Sequence, residues 1–148
     1  MEPLKLDDLP EHALLLIDTA PIVYVIEDHP EFAAIFRPVF ERHEAGQVRF
    51  AVTTITLAEV LTGPLSVADE ALAARYRATL KSWFVVDLDS EIAEGAARLR
   101  ATLKLKLGDA VQVASALAVN ADALVTHDRD FSRLESLRVI GIDTAAGA

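Results

Sequence analysis

Four acidic residues, far apart in the chain, are the side chains whose types and settings could do chemistry: Asp18, Glu59, Asp109 and Asp128, with Asp130 two residues beyond the last. Asp18 ends the apolar run LLLI, and Asp128 follows ALVT and His127. A short, wholly apolar run reads as a strand buried on both faces, as in the middle of a parallel sheet. An acid directly after such a strand stands at its carboxyl end, where open α/β sheets hold their ligands. Glu59 lies in a helical stretch among Ile55, Leu57, Ala58, Val60 and Leu61, where a buried carboxylate is costly unless it is paired or bound to something. Asp109 opens an almost wholly apolar helix after KLKLG. Carboxylates brought within a few Å of one another repel strongly unless a cation neutralises them. Hard divalent ions such as magnesium take oxygen ligands of this kind.

Each acid also has an ordinary reading. Asp18 can cap a helix starting near Ala20, Asp109 can favour a helix N-terminus, and Asp128 or Asp130 can cap the turn that follows them. Glu59 can be an exposed helical side chain. Asp87 and Asp89 also end a strand, but FVVDLDSE reads as the turn into a long helix.

The elements that would bring the acids together alternate. Strands are expected over Leu14–Ile17, Phe50–Thr54, Phe84–Leu88, Ala123–Thr126 and Leu137–Ile142. Between them, helices are expected over Ala20–Glu27, over Glu31–Glu44 with a kink or split at Pro38, through Glu59 to about Thr62, from a Ser66 cap to about Lys81, over Ser90–Leu105, and over Asp109–Val119. Gly63-Pro64 and Gly108 are read as helix stops, and Asp130 to about Leu134 as a single helical turn. This alternation predicts right-handed βαβ crossovers and a parallel sheet covered on both sides. It would set Asp18, Asp128 and the start of Glu59's helix at one carboxyl edge.

The 148 residues fit a single domain, with residues 1–13 as a loosely held lead-in and a frayed C-terminus. There is no cysteine, which excludes disulfides and thiolate-bound metal and fits a reducing cytoplasm. The start, MEPLKLDDLPEH, is too acidic for a signal peptide, and no apolar run is long enough to span a membrane. The expectation is a soluble, cytoplasmic protein. A net charge of −9 argues against a broad basic surface for nucleic acid. It leaves room for a site where metal ions held by carboxylates meet phosphates.

The stretches LLLIDTAPIVYVIE, TTITLAEVLTGPL and KLGDAVQVASALAVNADALVTHDRDF, in that order, resemble the successive motifs of the PIN-domain ribonucleases, especially the VapC-like toxins of bacterial type II toxin–antitoxin pairs. The resemblance spans about residues 14 to 142. It implies a three-layer fold with a central parallel sheet of four or five strands flanked by helices. It also implies that Asp18, Glu59, Asp109 and Asp128 form an acidic site for Mg2+ or Mn2+, with Thr19 and Thr126 as polar support. The implied activity is hydrolysis of RNA phosphodiester bonds, leaving 5′-phosphate and 3′-hydroxyl ends. The implied partners are RNA, a small antitoxin protein and a second copy of the chain. His127 stands where the family commonly has Asn, and it reads as a loop residue. The family's fourth acid is its least constant, so Asp130 could substitute for Asp128. Arg100, Lys104 and Lys106, just before Asp109, could touch the RNA backbone or could be partners of a helix dipole. Phe32, Phe36 and Phe40 could serve a partner interface or core packing.

Other classes fit less well. A haloacid-dehalogenase-type phosphotransferase needs a second acid two residues after the first, where this chain has Ala20. A response-regulator receiver needs paired acids at the first strand's end and a lysine after the fifth. The remaining alternative is a non-catalytic acidic α/β binding module acting through protein partners, its acids serving as caps and surface groups. Stabilisation by magnesium or manganese separates it from a metal-dependent enzyme.

Overall fold

The apolar run ahead of Asp18 becomes the middle of a sheet. In the computed structural model, which describes residues 4–142, β1 (Ala13–Ile17) lies between β2 (Val48–Thr53) and β4 (Ala123–Val125). Beyond them, β3 (Phe84–Val86) and β5 (Val139–Ile140) form the edges, and every pairing is parallel. Leu15 stands opposite Phe50 on one side and Ala123 on the other. The helices are α1 (Thr19–Ile26), α2 (Ala33–Glu44), α3 (Thr54–Ser66), α4 (Glu70–Lys81), α5 (Ser90–Leu103) and α6 (Leu107–Ala118). A 3-10 turn covers Arg129–Phe131.

Alternation along β1 divides the core into two halves. Leu15 and Ile17 face a cluster with Ile22, Phe36, Val39, Tyr76 and Leu80, contributed by α1, α2 and α4. Leu14 and Leu16 face a second cluster with Ile92, Ala96, Val111 and Val113, contributed by α5 and α6. All five residues of β1 are buried, because helices cover both faces of the sheet. The expected three-layer α/β architecture is therefore present, with five strands. No described helix is long and apolar enough to cross a membrane.

Several local expectations are corrected. Helix α3 does not stop before Gly63-Pro64 but runs through both to Ser66. The usual obstacle before a proline is a clash with the preceding Cβ, and Gly63 has none. Ser66 does not cap the next helix. Asp69 does, its Oδ1 accepting from the Leu72 amide at 3.1 Å. Pro38 does not split α2, because it and Ala34, whose carbonyl loses its partner, are both exposed to water.

The break between α5 and α6 comes earlier than Gly108. Lys104 ends α5 in the left-handed region with φ 58°, and Gly108 falls inside the first turn of α6. The fifth strand keeps only Val139–Ile140 of its expected span.

The lead-in is not loose over residues 4–12. Leu4 and Leu6 are buried, Arg42 donates to the Leu6 carbonyl and pairs with Asp7, and Arg138 pairs with Asp8. The expected fraying beyond residue 142 lies outside the described residues.

Candidate metal centre

Strand ends deliver Asp18 and Asp128 to the same edge of the sheet, because β1 and β4 are parallel neighbours in register. The Asp18 amide continues the ladder, donating to the Val125 carbonyl at 2.9 Å. The Asp18 carboxylate is fixed by three donors. Its Oδ2 accepts from Thr126 Oγ1 at 2.7 Å, and its Oδ1 accepts from Gln112 Nε2 and from the Thr19 amide, both at 2.9 Å. The bond from the Thr19 amide caps α1, so the capping reading of Asp18 holds alongside its place in the site.

Thr126 is fully buried, and its hydroxyl also accepts from the Asp128 amide at 3.0 Å. One threonine thus couples the two strand-end acids. Its position depends on Gly141, whose φ of +116° suits glycine and where a Cβ would overlap the Thr126 carbonyl and come within 2.8 Å of Phe36.

Asp109 arrives from the opposite face of the sheet. Because α6 begins at Leu107, Asp109 sits in its first turn rather than at its start, and Lys106 occupies the cap position. As an acid in the first turn Asp109 suits the helix N-terminus, but it makes no cap bond: its Oδ2 is buried and has no hydrogen-bond partner among the described residues. Burial, followed by the charges of Asp128, Asp18 and Asp130, pushes the Asp109 carboxyl up to about 6, and Lys106 opposes the shift. Asp109, Asp128 and Asp130 each bring a carboxylate oxygen to within 4.8 Å of the other two. Asp128 is also the cap of the 3-10 turn, accepting from the Asp130 amide at 2.9 Å. Asp130 is therefore a neighbour of Asp128 in the acidic cluster, and the cap is Asp128.

Glu59 stands further out. It is exposed on α3, and its Oε1 accepts from Thr19 Oγ1 at 3.0 Å. Its link to Asp18 runs through Thr19, and neither Glu59 nor Asp18 is in the group formed by Asp109, Asp128 and Asp130.

Gln112 was not singled out from the sequence, yet it is the hub of the polar layer. Only 2% exposed, it donates through Nε2 to Asp18 and to Thr56 Oγ1 at 2.8 Å, while its Oε1 accepts from Thr53 Oγ1 at 2.6 Å. Because a carboxylate oxygen only accepts, Asp18 fixes which end of the amide faces it. Thr53 also caps α3 by accepting from the Thr56 amide at 3.1 Å. Thr19 Oγ1 lies 3.2 Å from Thr56 Oγ1, so the network reaches from Glu59 to Asp128. The available signal was a lone amide one helical turn after Asp109 on an otherwise apolar helix.

The remaining candidates settle elsewhere. His127 Nδ1 meets the Tyr24 hydroxyl at 3.1 Å, and the ring packs edge-on against Phe32 and Phe36. Burial, helped by the Arg129 charge, holds this imidazole below its usual range. Phe36 is fully buried, and the partly buried Phe32 and Phe40 pack against the same core. Arg100 Nε donates to the Leu105 carbonyl at 3.3 Å, tying down the end of α5. Lys104 and Lys106 are exposed beside a cleft of about 350 Å³. Asp89 caps α5 through the Ile92 amide at 2.8 Å. Both Asp87 and Asp89 border a larger, mostly apolar groove of about 790 Å³ between β3, α5 and α6, away from the acidic cluster.

The donor set fits a hard divalent cation. It offers only carboxylate oxygens, including one buried oxygen with no partner, where burial first and the neighbouring acids second raise a carboxyl pKa.

Comparison with known proteins agrees with the geometry. A toxin–antitoxin complex from Klebsiella pneumoniae includes a chain 26% identical to this one, with TM-score 0.67 and coverage of 83% of this chain and 94% of that one. VapBC-5 of Mycobacterium tuberculosis, a member of the VapBC family of toxin–antitoxin systems, gives 27%, 0.54, 86% and 95%. VapBC2 of Rickettsia felis, bound to a DNA fragment from its promoter, shares the fold at 22% identity and TM-score 0.69, covering 85% and 96%. Comparison with curated proteins returns no match. The family profile that matches is the PIN domain, over residues 15–137, and the chain belongs to that family.

Proposed function

We propose that this protein is a divalent-metal-dependent endoribonuclease and the toxin of a toxin–antitoxin pair. The observation that carries the proposal is the buried, unpartnered Oδ2 of Asp109 within a cluster of carboxylates, in a PIN-domain chain. Asp18, Asp109 and Asp128 would hold Mg2+ or Mn2+, with Asp130 as an additional ligand and Glu59 at the rim. Such an ion, when bound, activates water for attack and offsets charge on the phosphate and the departing oxygen.

The chain's own residues supply the rigidity. Gln112, Thr126 and the Thr19 amide fix both oxygens of Asp18, so this ligand needs no reordering as substrate arrives. Thr19 orients Glu59 through Oε1. No Ser, His or Cys nucleophile is required, and the products would carry 5′-phosphate and 3′-hydroxyl ends. The neighbouring toxin–antitoxin complexes support an antitoxin protein as a partner.

The test is RNA cleavage by purified Asp18→Asn protein with added Mg2+ or Mn2+. We expect a folded protein without activity, because one like charge is removed from the cluster while the ion site is weakened. Near-wild-type, metal-dependent cleavage would overturn the proposal. Co-expression with the neighbouring gene tests the partner: a co-eluting small protein supports the toxin assignment, and its absence leaves a nuclease alone.

A further inference from the structure

The cations of this acidic protein are unevenly used. Of the 14 Lys and Arg, Arg37, Arg42, Arg98 and Arg138 are committed to an ion pair and the other ten make none among the described residues. Lys104, Lys106, Arg129 and Arg133 instead line a single cleft of about 350 Å³, together with Leu105, Ser132 and Asp130. None of these four is in an ion pair with any described carboxylate. Four like charges around one cleft repel one another, and an anion seated between them relieves that repulsion.

We propose that this cleft, between the end of α5 and the 3-10 turn, seats an RNA phosphate adjoining the one that is cleaved. The proposal rests on the ribonuclease reading above. Asp130 belongs both to the acidic cluster and to the cleft wall, so the two sites share a boundary. A strand whose scissile phosphate lies at the acids can therefore continue over the cations. The wall contains no aromatic side chain on which a base could stack, so the cleft reads backbone charge rather than sequence.

Two of the cations are positioned by the fold. Arg133 Nη2 donates to the Leu103 carbonyl at 3.2 Å, and Lys104 occupies the left-handed turn that ends α5. An overall charge of −9 repels RNA, and this seat supplies a local attraction where it is needed.

The test is the double variant Lys104→Gln/Arg129→Gln, which leaves Arg133 and its carbonyl bond intact. Cleavage kinetics on single-stranded RNA should show KM raised about tenfold with kcat within about twofold. RNA affinity measured in the Asp18→Asn background should lose about 0.7 from the slope of log Kd against log salt for each phosphate contact removed. The charge-conserving variant Lys104→Arg/Arg129→Lys should restore both values. Arg98→Gln, which removes a charge elsewhere, should change neither. Unchanged KM and slope in the double variant would overturn the seat, as would a fall in kcat alone. The binding arm needs no cleavage, so wild-type protein that binds RNA with this slope but cuts none would remove the ribonuclease reading and leave the seat standing.

Discussion

Asp109 holds a carboxyl group that is easier to protonate in the folded chain than in the unfolded one, where its pKa is the ordinary 3.8. Between about 4 and about 6 the native state therefore binds the extra proton, and stability contributed by that proton is lost as pH rises through the window. Thermal denaturation of metal-free protein should show Tm falling from pH 5 to pH 7.5, with excess Mg2+ or Mn2+ flattening the decline. A Tm that rises over this range without metal would contradict the electrostatic account. Asp109→Asn should remove a buried charge and its repulsion and so stabilise metal-free protein at pH 7.5 by about 1–2 kcal/mol, a discounted figure because the group is only part-buried. The same variant should gain no stability from the ion.

Gln112 ties Asp18 to the buried threonines. Gln112→Leu removes the acceptor of Thr53 Oγ1 and a donor to Thr56 Oγ1, and leaves the Thr19 amide as the one remaining donor to Asp18 Oδ1. We expect a loss of about 1–3 kcal/mol in urea unfolding and a weakening of Mn2+ affinity by about 10- to 100-fold. Unaltered Mn2+ affinity would show that Asp18 needs no support from Gln112.

At the level of elements, the acids at strand ends were legible because parallel strands bring their carboxyl ends to one edge, although Asp87 and Asp89 end a strand in the same way and lie away from the cluster. The wiring between them was not. Gln112 is neutral and lies on an apolar helix, so charge and periodicity both pass over it, and only the approach of α6 to β1 reveals its partners. That Asp128 and Asp130 both join the cluster also needed the backbone, since a turn that Asp128 caps folds Asp130 back beside it. Helix ends were misread where a glycine precedes a proline, at Gly63-Pro64, and where a lysine takes a glycine-like conformation, at Lys104. Gly141 carries the prediction for this scale. Gly141→Ala should cost about 3 kcal/mol through overpacking against Thr126 and Phe36 together with the disfavoured φ, and urea unfolding of the variant measures the cost. A loss below about 1 kcal/mol would mean that the β5 end does not fix Thr126.

For the whole molecule, the parallel sheet explains why residues 18 and 128 meet, and helices on both faces explain why Glu59 and Asp109 reach that edge from opposite sides. Overall acidity and a nucleic-acid substrate are compatible if the ion carries the charge the surface lacks. The account stands on that ion. Crystals soaked in Mn2+ test it directly through anomalous scattering: we predict a peak bounded by Asp18, Asp109 and Asp128, lost in crystals of Asp109→Asn. A fully soaked crystal with no peak among these side chains would contradict the account.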